Sequence, residues 1–367
     1  MKIGIVTCHR SHNYGAVLQA YALKTFLKNN GHDVEFADIV PSYFNNDYKV
    51  SRRSFRNSTL KGKLLYIKYL LKWWWPSYKI VNERSRKFRA FISKYLIKEK
   101  KDYKKQYFDI LIYGSDQIWS KEPLDNGTIY FDSVFWGNDT LNASRKITYS
   151  ASMGVLEITP DDHSFIELHL KNFEMVAVRE LELYNYLIDN NLISQKKIKN
   201  TIDPVFLLDR NEWLKLIKNR IVDEPYLFFY DFQKDENTTK IVNEIAKKRN
   251  LKIVRITDGV ESIDKLKGYI PTAGPHDFLS LIYYADFVFS SSFHGTAFSI
   301  LFEKQFFSRQ IWNTERVKNL LNNLGISDRF ISAPELNYSD DKYINYSDVN
   351  HKLNNIVSKS KEYLKSF

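Results

Sequence analysis

The segment ADFVFSSSFHGTAFSILFEK (residues 285–304) places a histidine and a glycine where a strand-like run passes into a helix-like run. The first turn of a helix presents unpaired N–H groups and positive potential, so His294 lies where an anion could bind. Gly295 would let a ligand approach the backbone closely, and Ser292 would line the same turn. The residues leave a second interpretation open, in which His294 is an interior histidine and Ser291 or Ser292 only caps the helix.

Two turns in the first half of the chain have the same character. CHRSHNYGAVLQ (8–19) and YGSDQIWS (113–120) each follow an apolar run. Ligands of open parallel sheets bind beyond the carboxyl ends of the strands, so both turns are candidate binding loops. Their candidate residues are Asn13, Tyr14, Gly15, Ser115, Asp116 and Gln117.

Arg179 ends the apolar run MVAVRE, and its guanidinium would face the same side as those turns. An ordinary ion pair for Arg179 and a helix cap for Asp116 remain the structural alternatives. Cys8, His9 and His12 lack a matching fourth ligand, so we expect no metal site there. The chain contains neither G-x-G-x-x-G after its first strand nor G-x-x-x-x-G-K-[ST], the usual dinucleotide and nucleotide signatures.

Strand and helix patterns alternate along the chain, which predicts parallel sheets. Predicted strands cover 2–8, 33–40, 108–114, 146–152, 175–179, 226–232, 252–257 and 287–291. Predicted helices cover 14–31, 161–171, a segment from Glu180, 236–249, 276–284, 294–303 and 348–366. The segment TIDPVFLLDRNEW marks a domain boundary, which divides the chain into domains 1–205 and 206–367.

The net charge of +11 is concentrated in one segment. Residues 49–105 contain 19 lysines and arginines against three acids, a local balance of +16. We predict a basic helical insertion at 45–105, with helices at 60–79, ended near Pro76, and at 80–97. Its lysines and the run Trp73–Trp75 suit a membrane interface; a core-packed helical hairpin and nucleic-acid binding are the alternatives.

The single cysteine indicates a reducing compartment, and no signal peptide or long apolar run is present. We therefore expect a cytoplasmic protein that is at most peripheral on the inner face of the membrane. The sequence leaves the oligomeric state open.

Taken together, these stretches resemble the polysaccharide pyruvyl transferase family. The resemblance depends on HRSHNYGAVLQAYAL, YGSDQIW, VAVRE, IDPVFLL, SSFHGTAFSILFEKQF and ERVKNLLNNLGISDR, which occur in this order between about residues 3 and 330. It implies a glycosyltransferase-B-like fold with two Rossmann-like domains, the first on the acceptor side and the second on the donor side. The candidate residues of the two turns in the first half are therefore assigned to acceptor binding. The resemblance also implies transfer of the enolpyruvyl unit of phosphoenolpyruvate onto two hydroxyls of a sugar, which forms a cyclic ketal and releases phosphate.

By this resemblance, Arg179 and His294 match basic residues of the donor site, which also includes Ser292 and Gly295. A lysine of the family has its nearest counterpart in Arg316, with Lys304 as the rival. For the acid–base steps the candidates are His294 and Asp116. The scheme uses phosphoenolpyruvate as a co-substrate and calls for no metal or cofactor. The resemblance implies a lipid-linked sugar acceptor and makes nucleic acid the least favoured partner of the basic segment. A nucleotide-sugar glycosyltransferase and a non-catalytic membrane-docking adaptor are the alternative functions.

Overall fold

The computed structural model describes residues 1–39, 75–97, 105–123, 128–257, 268–332 and 342–367. In these ranges the chain forms two separate four-stranded parallel sheets, flanked by helices. This arrangement confirms the predicted α/β fold with two Rossmann-like halves.

The first half is built on strands that run through residue 200. Its strands are β1 (Lys2–Val6), β2 (Asp33–Phe36), β3 (Tyr107–Tyr113), β4 (Lys121–Pro123), β5 (Ile129–Phe131), β6 (Asn142–Thr148), β7 (Val176–Val178) and β8 (Ile198–Asn200). The order of the parallel sheet is β2-β1-β3-β6, the pair β7–β8 continues beyond β6, and β4–β5 is an antiparallel hairpin. Its helices are α1 (Tyr14–Asn29), α2 (Trp75–Phe91, followed by a π-helical turn at Ile92–Leu96), α3 (Pro160–Leu170) and α4 (Leu181–Asp189), with a 3₁₀ turn at Ser133–Trp136.

The second half begins after a 3₁₀ turn at Pro204–Leu207. Its elements are α5 (Arg210–Leu214), β9 (Tyr226–Asp231), α6 (Glu236–Lys248), β10 (Lys252–Thr257), α7 (Pro275–Tyr283), β11 (Phe287–Ser290), α8 (Phe293–Leu301), β12 (Phe306–Ser308), α9 (Glu315–Leu324), a 3₁₀ turn at Ser327–Arg329 and α10 (Tyr346–Lys365). The sheet order is β10-β9-β11-β12, all parallel. The predicted boundary near residue 205 lies between the last strand of the first half and the first strand of the second.

One continuous hydrophobic core joins the two halves. Tyr14 of α1 stacks on Phe278 of α7 with the ring centroids 4.8 Å apart, and its hydroxyl donates to the carbonyl of Ala273 at 2.8 Å. Helix α10 follows the second half in sequence but packs back onto the first, where the Tyr363 hydroxyl donates to the carbonyl of Thr148 at 2.8 Å. The two halves are therefore joined to each other through their packed interiors.

Two predicted elements need correction. The prediction that a helix ends near Pro76 is wrong, because α2 begins at Trp75 and Pro76 is its second residue. Proline fits the first turn of a helix, where its missing N–H has no acceptor to bond. The strand predicted at 146–152 ends at Thr148, since Ser150 adopts a positive φ of 53°.

Most of the predicted basic insertion lies outside the described residues, including residues 60–74 of the helix predicted at 60–79. Of the segment 49–105, only residues 75–97 and Lys105 are described, and they contain α2 and its π-helical turn. Among the helices of the described ranges, none is long and apolar enough to cross a bilayer.

Candidate active site

A polar cleft of about 340 Å³ lies between the two sheets. The N-terminus of α1 forms one wall and that of α8 the other, as expected for loops beyond the carboxyl ends of parallel strands. The lining residues are Cys8, Ser11, Asn13, Asp116, Gln117 and Glu122 from the first half, and Phe232, Gln233, Ser292, Phe293, His294, Gln310, Trp312, Asn313 and Arg316 from the second.

His294 is the second residue of α8, and its ring lies against Gly15 of α1. A Cβ on Gly15 would come within 2.0 Å of His294 Nδ1, so only glycine leaves room for the imidazole. On the other side of the ring, Nε2 is 3.4 Å from Asp203 Oδ2. The side chain is 12% exposed, so the cleft reaches a small part of the ring. The two helix N-termini therefore meet around His294.

Asp203 is a buried carboxylate that holds two of the predicted basic residues. Its Oδ2 accepts from Arg179 Nη1 at 2.6 Å and contacts the His294 ring, while its Oδ1 accepts from Val205 N and caps the following 3₁₀ turn. Burial acts to raise the pKa of Asp203, but His294 and Arg179 together hold that pKa well below its usual range. Asp203 is therefore an anion throughout the neutral range.

Arg179 uses both terminal nitrogens in hydrogen bonds to buried side chains and does not line the cleft. Its side chain is 4% exposed, and besides the bond to Asp203 its Nη2 donates to Ser152 Oγ at 2.9 Å. Its Nε is 3.6 Å from Glu180 Oε1. Burial acts to lower the pKa of Arg179, but Asp203 and Glu180 raise that pKa above its usual value. The guanidinium is permanently charged and fixed in place.

Arg316, near the start of α9, brings its charge to the cleft itself. Its Nε is buried without a hydrogen-bond partner among the described residues, although Glu180 Oε1 lies 3.9 Å away. Burial and the charge of Arg179 lower the pKa of Arg316 to about 10, so it remains protonated at neutral pH. The guanidinium carbons of Arg179 and Arg316 are each 5.5 Å from the centroid of the Phe293 ring.

Lys304, the rival to Arg316, lies elsewhere. It follows the C-terminal end of α8, with its Nζ 5.9 Å from the ring centroid of Tyr283, and it is not among the cleft residues. Of the two candidates, the structure brings Arg316 beside His294.

In the SSSFHG turn, Ser291 and Gly295 have structural roles, whereas the Ser292 side chain caps nothing. Ser292 is the N-cap residue of α8 and lines the cleft, but its side chain makes no capping hydrogen bond. Ser291 Oγ instead accepts from the N–H groups of Phe232 and Gln233. A Cβ on Gly295 would come within 2.1 Å of Ser290 Oγ, so packing against the strand, rather than an approaching ligand, explains the glycine.

The predicted acceptor residues divide into two groups. Asn13, Asp116 and Gln117 line the cleft, and Gly15 supports the imidazole. Tyr14 and Ser115 are fully buried, which corrects their predicted place in the acceptor site. The Tyr14 side chain points into the core between the halves because successive helical residues are rotated by about 100°.

Two of the residues considered as metal ligands, His9 and His12, make other contacts. His9 is buried, with Nδ1 2.8 Å from the carbonyl of Thr7 and Nε2 3.2 Å from Asp38 Oδ1. His12 stacks on Phe88, and burial, Arg89 and Arg84 lower its pKa to about 4. In the described part of the chain, no group of three or more His, Cys, Asp or Glu side chains could hold a metal ion.

Asp203 and Glu180 are the functional candidates that the sequence prediction missed. Both lie in segments already singled out, IDPVFLL and VAVRE. Asp203 precedes a proline and so has the pattern of a turn residue; its contacts with Arg179 and His294 join three distant parts of the chain.

Two parallel sheets, with a cleft between their strand ends and basic side chains at a helix N-terminus, define an α/β protein whose cleft is suited to an anion. The profile of the family described as polysaccharide pyruvyl transferase matches residues 13–309. The chain therefore belongs to the polysaccharide pyruvyl transferase family and is a transferase, and this membership implies a polysaccharide acceptor. No curated protein matches its sequence.

Solved structures resemble the chain only distantly. A functionally uncharacterised protein from Klebsiella pneumoniae is 16% identical, with a TM-score of 0.39, over 69% of this chain and 87% of that one. UDP-N-acetylglucosamine 2-epimerase from Rickettsia bellii is 12% identical, with a TM-score of 0.46, over 99% of this chain and 95% of that one. The Neisseria meningitidis UDP-GlcNAc 2-epimerase bound to UDP-GlcNAc is 12% identical, with a TM-score of 0.46, over 100% and 93%. At these TM-scores, the likenesses carry no inference about this chain.

Proposed function

We propose that this transferase moves the enolpyruvyl unit of phosphoenolpyruvate onto two hydroxyls of a sugar in a cell-surface polysaccharide precursor, forming a cyclic ketal and releasing phosphate. The observation that carries the proposal is the pair His294 and Arg316 beside the N-terminus of α8, in a chain of this family. Phosphoenolpyruvate has a carboxylate and a phosphate, and these anionic groups accept strong, charge-assisted hydrogen bonds from cationic side chains.

Arg316 is the side chain best suited to hold the donor, because it lines the cleft, whereas the terminal nitrogens of Arg179 already donate to other side chains. A guanidinium can hold a carboxylate or a phosphate through two parallel hydrogen bonds. The N–H groups of the first turn of α8 favour the other anionic end. Arg179 contributes charge from outside the cleft lining, since its two terminal nitrogens already donate to Asp203 and Ser152.

The ketal forms in two additions. In the first, His294 delivers a proton to the methylene carbon while one sugar hydroxyl adds to C2, and Asp116 accepts the proton of that hydroxyl. In the second, the bond from C2 to the phosphate oxygen breaks, the other hydroxyl adds to C2, and its proton leaves with the phosphate. Of the two hydroxyl protons, the first is held by Asp116 and passes to His294 before the next turnover, which restores the proton given to the methylene carbon. The second ends on the released phosphate. No step is assigned to a metal or a resident cofactor.

Calorimetry with phosphoenolpyruvate and a panel of nucleotide sugars tests the proposal. We expect phosphoenolpyruvate to bind, and His294→Ala to lose turnover while its thermal unfolding stays close to that of the wild type. Binding of nucleotide sugars alone would assign a glycosyltransferase instead. Full biological function of His294→Ala would favour a non-catalytic adaptor.

The acceptor is proposed to be lipid-linked, with the segment 49–105 holding the protein at the inner face of the membrane. The support is compositional: the local charge of +16 and the run Trp73–Trp75 suit an anionic interface. Vesicles containing anionic lipid should bind the protein. This binding should weaken as the salt concentration rises, because salt screens charges that lie farther apart than the Debye length, which is about 10 Å at 0.1 M. Replacing the three tryptophans with serine should reduce the salt-resistant part; unfolding of that variant would show that they pack in the core.

A further inference from the structure

Trp312 is an exposed tryptophan at the edge of the cleft. It lies in the loop between β12 and α9, lines the cleft and is 48% exposed. Trp119, Trp136 and Trp213 are by contrast fully buried. A tryptophan ring offers a large, rigid apolar face at little cost in conformational entropy, so an open ring beside a polar cleft is available to a ligand.

The loop that carries this ring is held from below by Gln233, a buried residue that follows β9. Gln233 Nε2 donates to the Trp312 carbonyl at 3.1 Å, and Gln233 Oε1 accepts from Ile311 N at 2.5 Å. Both hydrogen-bonding groups of one side chain are thus used to fix two neighbouring loop residues. The position of the indole is therefore set before any ligand arrives.

The cleft that Trp312 lines also contains neutral amide side chains. Gln117 lies on the first-half wall, and Asn313 follows Trp312 in the chain. Asn313 Oδ1 is buried without a hydrogen-bond partner in the described ranges. A buried acceptor in that condition costs free energy until a donor reaches it. Hydroxyl groups donate to amide oxygens of this kind.

This combination matches the chemistry of a pyranose ring. One face of a pyranose is a patch of C–H groups, and its rim carries hydroxyls that donate and accept hydrogen bonds. We infer that Trp312 is the platform on which the acceptor sugar stacks, with the amide groups of Gln117 and Asn313 contacting its hydroxyls. In identifying the sugar as the acceptor, the inference rests on the proposed function. The cleft then has an anionic-donor side at His294 and Arg316 and a sugar side at Trp312.

Ligand-observed NMR on the full chain tests the inference, with the methyl pyranosides of glucose, galactose, mannose and N-acetylmannosamine as probes and phosphoenolpyruvate present. We expect at least one pyranoside to bind, and Trp312→Ala to weaken its binding by about tenfold, equivalent to about 1.4 kcal/mol. Trp312→Phe should retain more binding than Trp312→Ala. Ile311→Ala is the matched control, because Ile311 is 49% exposed on the same loop but does not line the cleft.

Two results would overturn the inference: equal pyranoside binding by Trp312→Ala and the wild type, or no pyranoside binding by a wild type that binds phosphoenolpyruvate. Phosphoenolpyruvate affinity should be the same in all three variants. Failure of the proposed function has a separate signature, in which the wild type binds a pyranoside through Trp312 but does not bind phosphoenolpyruvate.

Discussion

Replacing Gly15 with alanine should remove most of the turnover while the protein still folds. The new Cβ would lie 2.0 Å from His294 Nδ1 and 2.5 Å from Cγ and Cε1, whereas carbon contacts are favourable at about 3.5–4.0 Å. The imidazole would therefore have to move by about 1.5 Å, away from its place beside Asp203. Misplacement of a reacting group by about 1 Å can lower a rate about a hundredfold.

The effect on stability should be much smaller. Overpacking of a core costs about 1–3 kcal/mol, and alanine in a helix recovers about 1 kcal/mol relative to glycine. We therefore expect the free energy of unfolding to fall by no more than about 2 kcal/mol. Denaturant titration gives this number, and steady-state kinetics with phosphoenolpyruvate gives kcat and KM.

Gly31→Ala provides the control for this experiment. Gly31 has a φ of +84° and open space around its position, so alanine there strains the backbone by about 1–2 kcal/mol without touching the cleft. That variant should lose stability and keep its turnover. Full turnover by Gly15→Ala would refute the reasoning, because the His294 ring would then be active without its close packing against Gly15.

The remaining predictions concern the charged cluster and the buried tyrosine. Arg316→Ala should weaken phosphoenolpyruvate binding by about 1.5–3 kcal/mol in calorimetry, and Lys304→Ala should change it little; the reverse order would transfer the third donor contact to Lys304. Asp203→Asn should lower the free energy of unfolding by about 3–5 kcal/mol, since it leaves buried cations without their anion. Because the folded pKa of Asp203 lies below the unfolded value of about 3.9, its stabilisation is present above that value and fades as the pH falls below it. The wild type should therefore lose more stability than Asp203→Asn between about pH 5 and pH 3, and parallel denaturation curves would contradict this. Tyr14→Phe should cost about 1 kcal/mol of stability, from one lost hydrogen bond, and leave the KM for the acceptor unchanged; a raised KM would return Tyr14 to the acceptor site.

Much of the fold follows from local patterns in the sequence. The first strand, helix and strand were predicted from an apolar run, helical spacing and Gly31, and the structure has β1, α1 and β2 in those places. Helix α9 was not predicted, although Gly325 ends it in the left-handed conformation typical of a C-cap glycine. The position of Pro76 was misjudged because proline marks both the interruption of a helix and its first turn.

The site was predictable as a location but not as a set of contacts. Turns at strand ends were expected to meet in the cleft, and Asn13, Asp116 and His294 do line it. Tyr14 was misplaced because neighbouring residues at a helix start face different directions. The carboxylate of Asp203 could not be assigned from its own segment, since its meaning depends on side chains that arrive from other elements.

The core that joins the two halves has a consequence for the catalytic cycle. Sliding or rotating one sheet against the other would separate the Tyr14 and Phe278 rings and pull Tyr363 from Thr148. A packed interior changes between discrete arrangements and does not deform gradually, so such a movement would have to break these contacts. We therefore expect substrates to enter and leave through the open side of the cleft, with side chains and loops as the moving parts. Small-angle scattering profiles with and without phosphoenolpyruvate should then superimpose, and neither half expressed alone should give a cooperative unfolding transition.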